Sequence, residues 1–149
     1  MKSRLNLFVK GQQAVGLLTD INNYLKNGSL EKGLLELVDY RVSQVNGCAF
    51  CLDMHSKELR ALGDSEQRLY TLDAWRETPF FSERERAALS WAEAITVCEA
   101  SDQHYAVARE HFTDIELVDL TMAICAINTW NRLNIAFPNK VGSYKVGGF

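Results

Sequence analysis

Apolar residues along this chain recur at helical spacing, and hydroxyl–carboxylate pairs mark where helices start. Ser82-Glu83-Arg84-Glu85 has the form of a capping box, in which hydroxyl and carboxylate each satisfy a backbone N–H left unpaired by the first helical turn. Behind it Ala88, Trp91, Ile95 and Cys98 fall at i, i+3, i+7 and i+10, one face of a helix. Thr113-Asp114-Ile115-Glu116 repeats the start signal and opens a longer helix. There Leu117, Leu120, Ile124 and Ile127, joined by Val118, Met122 and Cys125, cover most of the circumference. That pattern predicts burial on nearly all sides, in a core or between subunits. Earlier, Leu30, Leu34, Leu37, Val38, Val42 and Val45 form another stripe that stops at Asn46-Gly47. Val38, Tyr40 and Val42 also alternate as a strand would, but the length of the stripe and the lack of other strand candidates favour helix. The expectation is an all-α chain of about six helices.

Composition narrows the picture. The 149 residues carry 16 Lys plus Arg against 19 Asp plus Glu, a net charge of −3, with 47% hydrophobic and 23% charged positions. These proportions exclude a disordered or fibrous chain. The size fits one domain over 1–149, with a core from about 30 to 137 and a loose Gly-containing tail over 138–149. Mild acidity without a basic block argues against a nucleic-acid partner. Met1 to Lys10 has charges at both ends and no sustained apolar run, so no secretory leader is expected. The apolar-rich stretch from Leu117 to Ile127 is broken by Asp119 and Thr121 and falls far short of a ~20-residue membrane span. A cytoplasmic protein with no membrane partner follows as the expectation. Four cysteines are too few to staple a domain of this size, so their positions carry the information.

Two of them sit in Asn46-Gly47-Cys48-Ala49-Phe50-Cys51-Leu52-Asp53-Met54-His55. Asn46-Gly47 ends one helix and Cys48 begins the next, which puts Cys48 and Cys51 in a first turn where unpaired N–H groups and the helix dipole favour a thiolate. His55 lies at i+4 from Cys51 and i+7 from Cys48, so the three share a face, and an imidazole one turn from a thiol can take its proton. Phe50 and Met54 are expected to point to other sides. Glu36 lies ten residues before Asn46 and His55 nine after it, so an antiparallel hairpin brings carboxylate and imidazole level, as in catalytic triads. Glu36 also projects away from its own helix's apolar stripe, so a twist or a partner subunit is needed for it to reach His55. A zinc site would use Cys48, Cys51 and His55 with a fourth ligand from Cys98, His104 or Glu36, but the second ligand pair usual in structural zinc sites is missing, and no metal is expected. Cys98 and Cys125 read as small core residues, and His104 and His111 as surface or packing histidines.

Glu36 with Cys48-Ala49-Phe50-Cys51-Leu52-Asp53-Met54-His55 resembles the active-site signature of the alkyl hydroperoxidase D (AhpD)-like branch of the carboxymuconolactone decarboxylase superfamily. That pattern is a Glu twelve residues before a Cys-X-X-Cys, with a His four residues after its second Cys. Arg68-Leu69, Trp75-Arg76-Glu77, Trp91-Ala92-Glu93-Ala94 and Trp130-Asn131-Arg132-Leu133 extend the likeness across most of the chain. The resemblance implies an all-helical fold that assembles as a trimer or hexamer, and a thiol-dependent peroxidase acting on a small hydroperoxide with an external dithiol as reductant. It implies Cys51 as the thiol that becomes a sulfenic acid, Cys48 as proton donor and resolving thiol, and His55 with Glu36 as proton relay. The geometry of the motif points to Cys51 as well, because it is the thiol one turn from His55. Phe50 departs from the fuller hydroperoxidase, which carries a His inside the pair. The decarboxylase side of the superfamily lacks the Cys-X-X-Cys, so lactone decarboxylation is disfavoured. No Gly-X-Gly-X-X-Gly is present for a flavin or nicotinamide cofactor. Other readings of the pair are a thiol–disulfide oxidoreductase of thioredoxin type, which needs a strand before the motif, a redox sensor without peroxidase turnover, and a structural zinc module.

Overall fold

Hydroxyl caps set four of the eight α-helix starts among the described residues, and Gly47 sets the turn on which the site depends. The computed structural model describes residues 4–148. Among them run α1 (Leu7–Lys10), α2 (Gln12–Lys26), α3 (Lys32–Asn46), α4 (Ala49–Ala61), α5 (Glu66–Thr71), a 3-10 turn (Leu72–Glu77), α6 (Glu83–Thr96), α7 (Asp102–His111) and α8 (Asp114–Ala136). No strand occurs among the described residues, so the all-α expectation holds, with more helices than the six or so expected. Ser82, Ser101 and Thr113 each close a full capping box. No helix of the described residues is long and apolar enough to cross a membrane.

Helix α3 is the central post, packed against α4, α6 and α8. Leu34, Leu35, Leu37, Val38 and Val42 are all buried, so α3 meets neighbours on more than one side. Leu34, Val38 and Val42 join Trp91 of α6 and Leu120 and Ile124 of α8 in the main core. Ala87, Ala88 and Ala92 on α6 are small enough to let these helices approach closely. Leu37 faces instead into a second cluster with Leu59, Leu72, Trp75 and Leu89. The Trp75 ring is covered by the Arg76 and Arg86 guanidinium groups, and its indole N–H donates to Glu93 at 2.9 Å.

Two side-chain networks fix elements around the end of α3. Asn46 Nδ2 donates to Asn128 and Asn131 of α8, both at 2.9 Å, and Asn131 Nδ2 donates to Ser43 Oγ at 3.0 Å. Ser43 and Asn131 are fully buried, and these bonds hold the turn before Cys48. At the other end, the Tyr24 hydroxyl donates to Asp119 at 3.0 Å and ties α2 to α8.

Three expectations are not met within the single chain. The α8 helix buries Leu117, Leu120, Ile124 and Ile127, but Ile115, Val118, Met122 and Cys125 are exposed on its outer face. Cys98 is also exposed: α6 ends at Thr96, and Cys98 takes a left-handed φ of 59°, closing the helix with N–H bonds from Cys98 to Ile95 and from Glu99 to Ala94. Periodicity carries on past that stop, which is why the sequence placed it on a core face. The third concerns the tail, which is not loose. The Gly142 N–H donates to Asp53, Lys57 Nζ to the Tyr144 carbonyl, and both the Tyr144 hydroxyl and the Gly147 N–H to Glu58. It is laid against α4.

Ile124 is fully buried between α3, α6 and α8, so Ile124→Ala should cost about 2–5 kcal/mol through lost burial and the cavity left behind. Urea unfolding should show a lower midpoint with an unchanged slope.

Candidate active site

The site forms where α3 turns back into α4. Gly47 ends α3 with a φ of 68°, a left-handed conformation that an L side chain resists, and the chain reverses at once. Cys48 follows as the N-cap of α4, its Sγ accepting the Cys51 N–H at 3.4 Å. Cys48 and Cys51 form a disulfide with Cα atoms 5.3 Å apart, and each is 1% exposed. Helix α4 then carries His55 one turn beyond Cys51.

The hairpin brings Glu36 and His55 together within one chain. Their carboxylate Oε2 and ring Nδ1 lie 2.8 Å apart and both residues are buried. The sequence placed Glu36 on the wrong side of α3 to do this unaided. The side opposite the stripe turns out to be an inward side too, because α4 covers it. With an ionised carboxylate at Nδ1, that nitrogen is the donor, and Nε2 is left buried with no hydrogen-bond partner among the described residues. Burial works against a charged His55, but the Glu36 hydrogen bond and the charges of Asp39, Glu36 and Glu58 outweigh it and raise its pKa above the ordinary value. The imidazolium is favoured.

Asp39 is the residue the sequence reading missed. One ligand atom each of Glu36, Asp39 and His55 lie within 4.8 Å of one another. Burial, with Glu36 adding to it, pushes the Asp39 carboxyl up to about 7 despite the opposing His55 and Lys26 charges. Asp39 is three residues from Glu36, and Glu58 three from His55, so helical spacing from the two recognised residues marks both as sharing their faces. Burial also disfavours the Glu58 charge, but the Tyr144 hydroxyl, the Gly147 amide and Lys32 and Lys26 outweigh it and hold the carboxyl below its ordinary range. Burial and Glu58 push the Tyr144 hydroxyl up to about 12. No local signal marks Tyr144, which reaches this place by the path of the tail.

These groups open onto a cavity of about 220 Å³. Cys51 lines it and Cys48 does not. Phe50 and Met54, expected on other sides of α4, line it with Cys51, His55 and Glu58, because those five positions make one continuous face of the helix. Phe8, Leu25, Leu35, Ile127 and Trp130 add apolar wall from four further helices, and Lys26 and Lys32 add positive charge. The donor set that assembles is Glu36, Asp39 and His55, and the zinc set of Cys48, Cys51 and His55 with Cys98 or His104 does not. The two cysteines are bonded to each other, Cys98 is exposed at the end of α6, and His104 caps α7 through Ser101.

Residues 12–94 match the model of the carboxymuconolactone decarboxylase family. The uncharacterized protein YdfG of Bacillus subtilis (strain 168) is 40% identical over 146 residues, covering 96% of this chain and 99% of its own. Among solved structures, a protein of unknown function from Agrobacterium tumefaciens, described as a candidate AhpD antioxidant-defence protein, superposes with a TM-score of 0.89 at 42% identity over 93% of this chain and 97% of its own. An uncharacterized peroxidase-related protein from Silicibacter sp. TM1040 superposes at 0.79 with 26% identity, over 89% of this chain and 72% of its own.

Removing the Glu36 charge should lower the His55 pKa, since that hydrogen bond raises it. NMR titration of the ring should show the midpoint falling in Glu36→Gln relative to the unaltered chain. Stability should also depend on pH. The folded-state pKa values of Asp39 and His55 are both raised, so their contributions are whole below their unfolded values and are lost as pH rises through the folded ones. Urea midpoints of the disulfide form should therefore fall between about pH 5 and about pH 7, where Asp39 loses its proton.

Proposed function

Because the chain belongs to the AhpD-like branch of the carboxymuconolactone decarboxylase family, we propose that it is a thiol-dependent hydroperoxidase. The observation that carries this reading is a Cys-X-X-Cys disulfide of which one residue, Cys51, lines a cavity beside a buried His–Glu pair. The names of the Agrobacterium and Silicibacter neighbours point the same way.

In the reduced protein, Cys51 is the third residue of α4, where free N–H groups and the helix dipole stabilise a thiolate. The thiolate attacks the distal oxygen of a hydroperoxide. The O–O bond breaks, Cys51 becomes a sulfenic acid, and the departing alkoxide takes a proton and leaves as alcohol or water. His55, held in place through Nδ1 by Glu36, has Nε2 available to move that proton. Cys48 then attacks the Cys51 sulfur, water leaves, and the disulfide forms. An external dithiol restores both thiols by exchange. The apolar walls favour an organic hydroperoxide that can bury its carbon chain.

Intact mass after reduction and about one equivalent of peroxide tests the roles. The unaltered chain should lose two hydrogens, Cys48→Ser should gain one trappable oxygen, and Cys51→Ser should do neither at a comparable rate. Equal oxidation of both single variants removes the role assignment, while a single oxidation that dithiol and peroxide cannot cycle removes the peroxidase reading in favour of a redox sensor.

A further inference from the structure

The Cys48–Cys51 disulfide lies out of reach of solvent. Each cysteine is 1% exposed, and of the two Cys51 alone lines the cavity. Thiol–disulfide exchange needs a thiolate in contact with one of the two sulfurs, so access limits its rate. Reduction from the cavity side must therefore pass whatever closes that cavity. Tyr144 and Gly147 of the tail complete its wall. A second hollow is lined by Asn139, Ser143 and Tyr144 of the tail together with Phe8 and Phe50. Phe8, Phe50, Asn139 and Tyr144 border both spaces, so the tail stands between the cavity and the surface.

The way this segment is held suits a part that moves. Residues 140–148 form no helix or strand, and all are exposed except the half-buried Tyr144. Val141 and Val146 are each 52% exposed, so little apolar burial holds the segment down. Its ties to α4 are polar. The Gly142 N–H donates to Asp53 at 3.0 Å, Lys57 Nζ to the Tyr144 carbonyl at 3.1 Å, and the Gly147 N–H to Glu58 Oε1 at 2.9 Å. The Tyr144 hydroxyl donates to that same oxygen, so buried Glu58 is the anchor for two tail donors. Gly142 and Gly147 take left-handed φ values of 86° and 74°, a conformation that suits glycine, at the two turns that supply these amides. Asn139 Nδ2 donates to Asn134 of α8 at 2.7 Å and fixes the base of the segment. A stretch joined by a few exposed hydrogen bonds and little apolar contact opens locally while the rest of the domain stays folded.

We propose that residues 140–148 are a lid, latched on Glu58 and Asp53, whose lifting admits a reductant's thiolate to Cys51. The use of the lid in turnover rests on the hydroperoxidase reading; the gating itself does not. With the lid raised, one thiolate of an external dithiol attacks the Cys51 sulfur. The Cys48–Cys51 bond breaks, and Cys48 leaves as a thiolate and takes a proton. The dithiol's second thiolate then displaces Cys51 from the mixed disulfide. The protein gains two electrons, and the dithiol departs as its own disulfide.

The test uses the whole chain in its disulfide form with dithiothreitol and no peroxide, so its outcome is separate from that of the hydroperoxidase reading. Tyr144→Phe removes one bond to Glu58, and Asp53→Ala removes the acceptor of the Gly142 amide. Each should raise the rate of Cys48–Cys51 reduction roughly two- to tenfold, the range that one hydrogen bond gives, and the double variant should exceed either. Hydrogen exchange should speed up at the Gly142 and Gly147 amides, while the Leu59 and Ile124 amides in the core keep their protection. Unchanged reduction rates in both folded variants overturn the proposal. Acceleration of exchange at Leu59 and Ile124 by the same factor as reduction also overturns it, because the disulfide is then reached by unfolding of the domain. Should the variants fail to fold, the unaltered chain decides. Its reduction rate should hardly respond to urea below the unfolding transition, since lifting a lid exposes little surface, and a rate that climbs with the full unfolding slope overturns the proposal.

Discussion

The hydrogen bond between Glu36 and His55 is the constraint around which the site is built. It joins two helices that run back to back, and it does so in the interior, where leaving either partner alone would strand a charge. Its length allows little freedom: the turn at Gly47 must be tight, α3 and α4 must stay in one register, and the imidazole must present Nδ1 to the carboxylate. Once those conditions hold, Cys51 is carried one turn from the ring and Nε2 is left facing no protein partner. The Asn46–Asn131–Ser43 network at the foot of α3 and the Leu37–Leu59 contact along the hairpin hold the same register. Packing and polar bonding thus fix the same geometry.

The cavity depends on more distant parts of the chain. Apart from Lys26 and Tyr144, its ionisable groups come from α3 and α4, while α1, α2 and α8 add apolar wall to that of Leu35, Phe50 and Met54. Long-range bonds tie α2 to α8 through Tyr24 and Asp119, and the tail to α4 through Asp53, Lys57 and Glu58. Low water access around the cluster is what raises Asp39. The redox pair and the proton chemistry are in this sense one arrangement. Cys51 and the acid cluster share a cavity because they occupy facing sides of a single hairpin.

Outside the site, the exposed face of α8 shows how far pattern can go. Ile115, Val118 and Met122 fall at helical spacing and are apolar, but nothing in this chain covers them. Periodicity reports that a face is apolar. It does not report which neighbour, if any, lies against it.

The sequence by itself determined what is local. Capping boxes at Ser82 and Thr113, the stop at Gly47, the start at Cys48, and the one-turn spacing of Cys51 and His55 were all legible, because each rests on contacts within a few residues. The level pairing of Glu36 with His55 was legible as a matter of helix length, though the direction of Glu36 was not, because that depends on α4 covering a second side of α3. Only the tertiary structure decided the rest. Asp39 and Glu58 look in sequence like ordinary solvated helix carboxylates, and become a half-buried and a buried member of the site when α2, α8 and the tail close over them. Cys98 and Cys125 keep a core-like spacing yet end up exposed, since a helix stop and an uncovered face override periodicity. Tyr144 reaches Glu58 across 86 residues of chain. Burial and long-range pairing are properties of the assembled fold, and they alter a residue's charge and reactivity without leaving a mark on its neighbours in sequence.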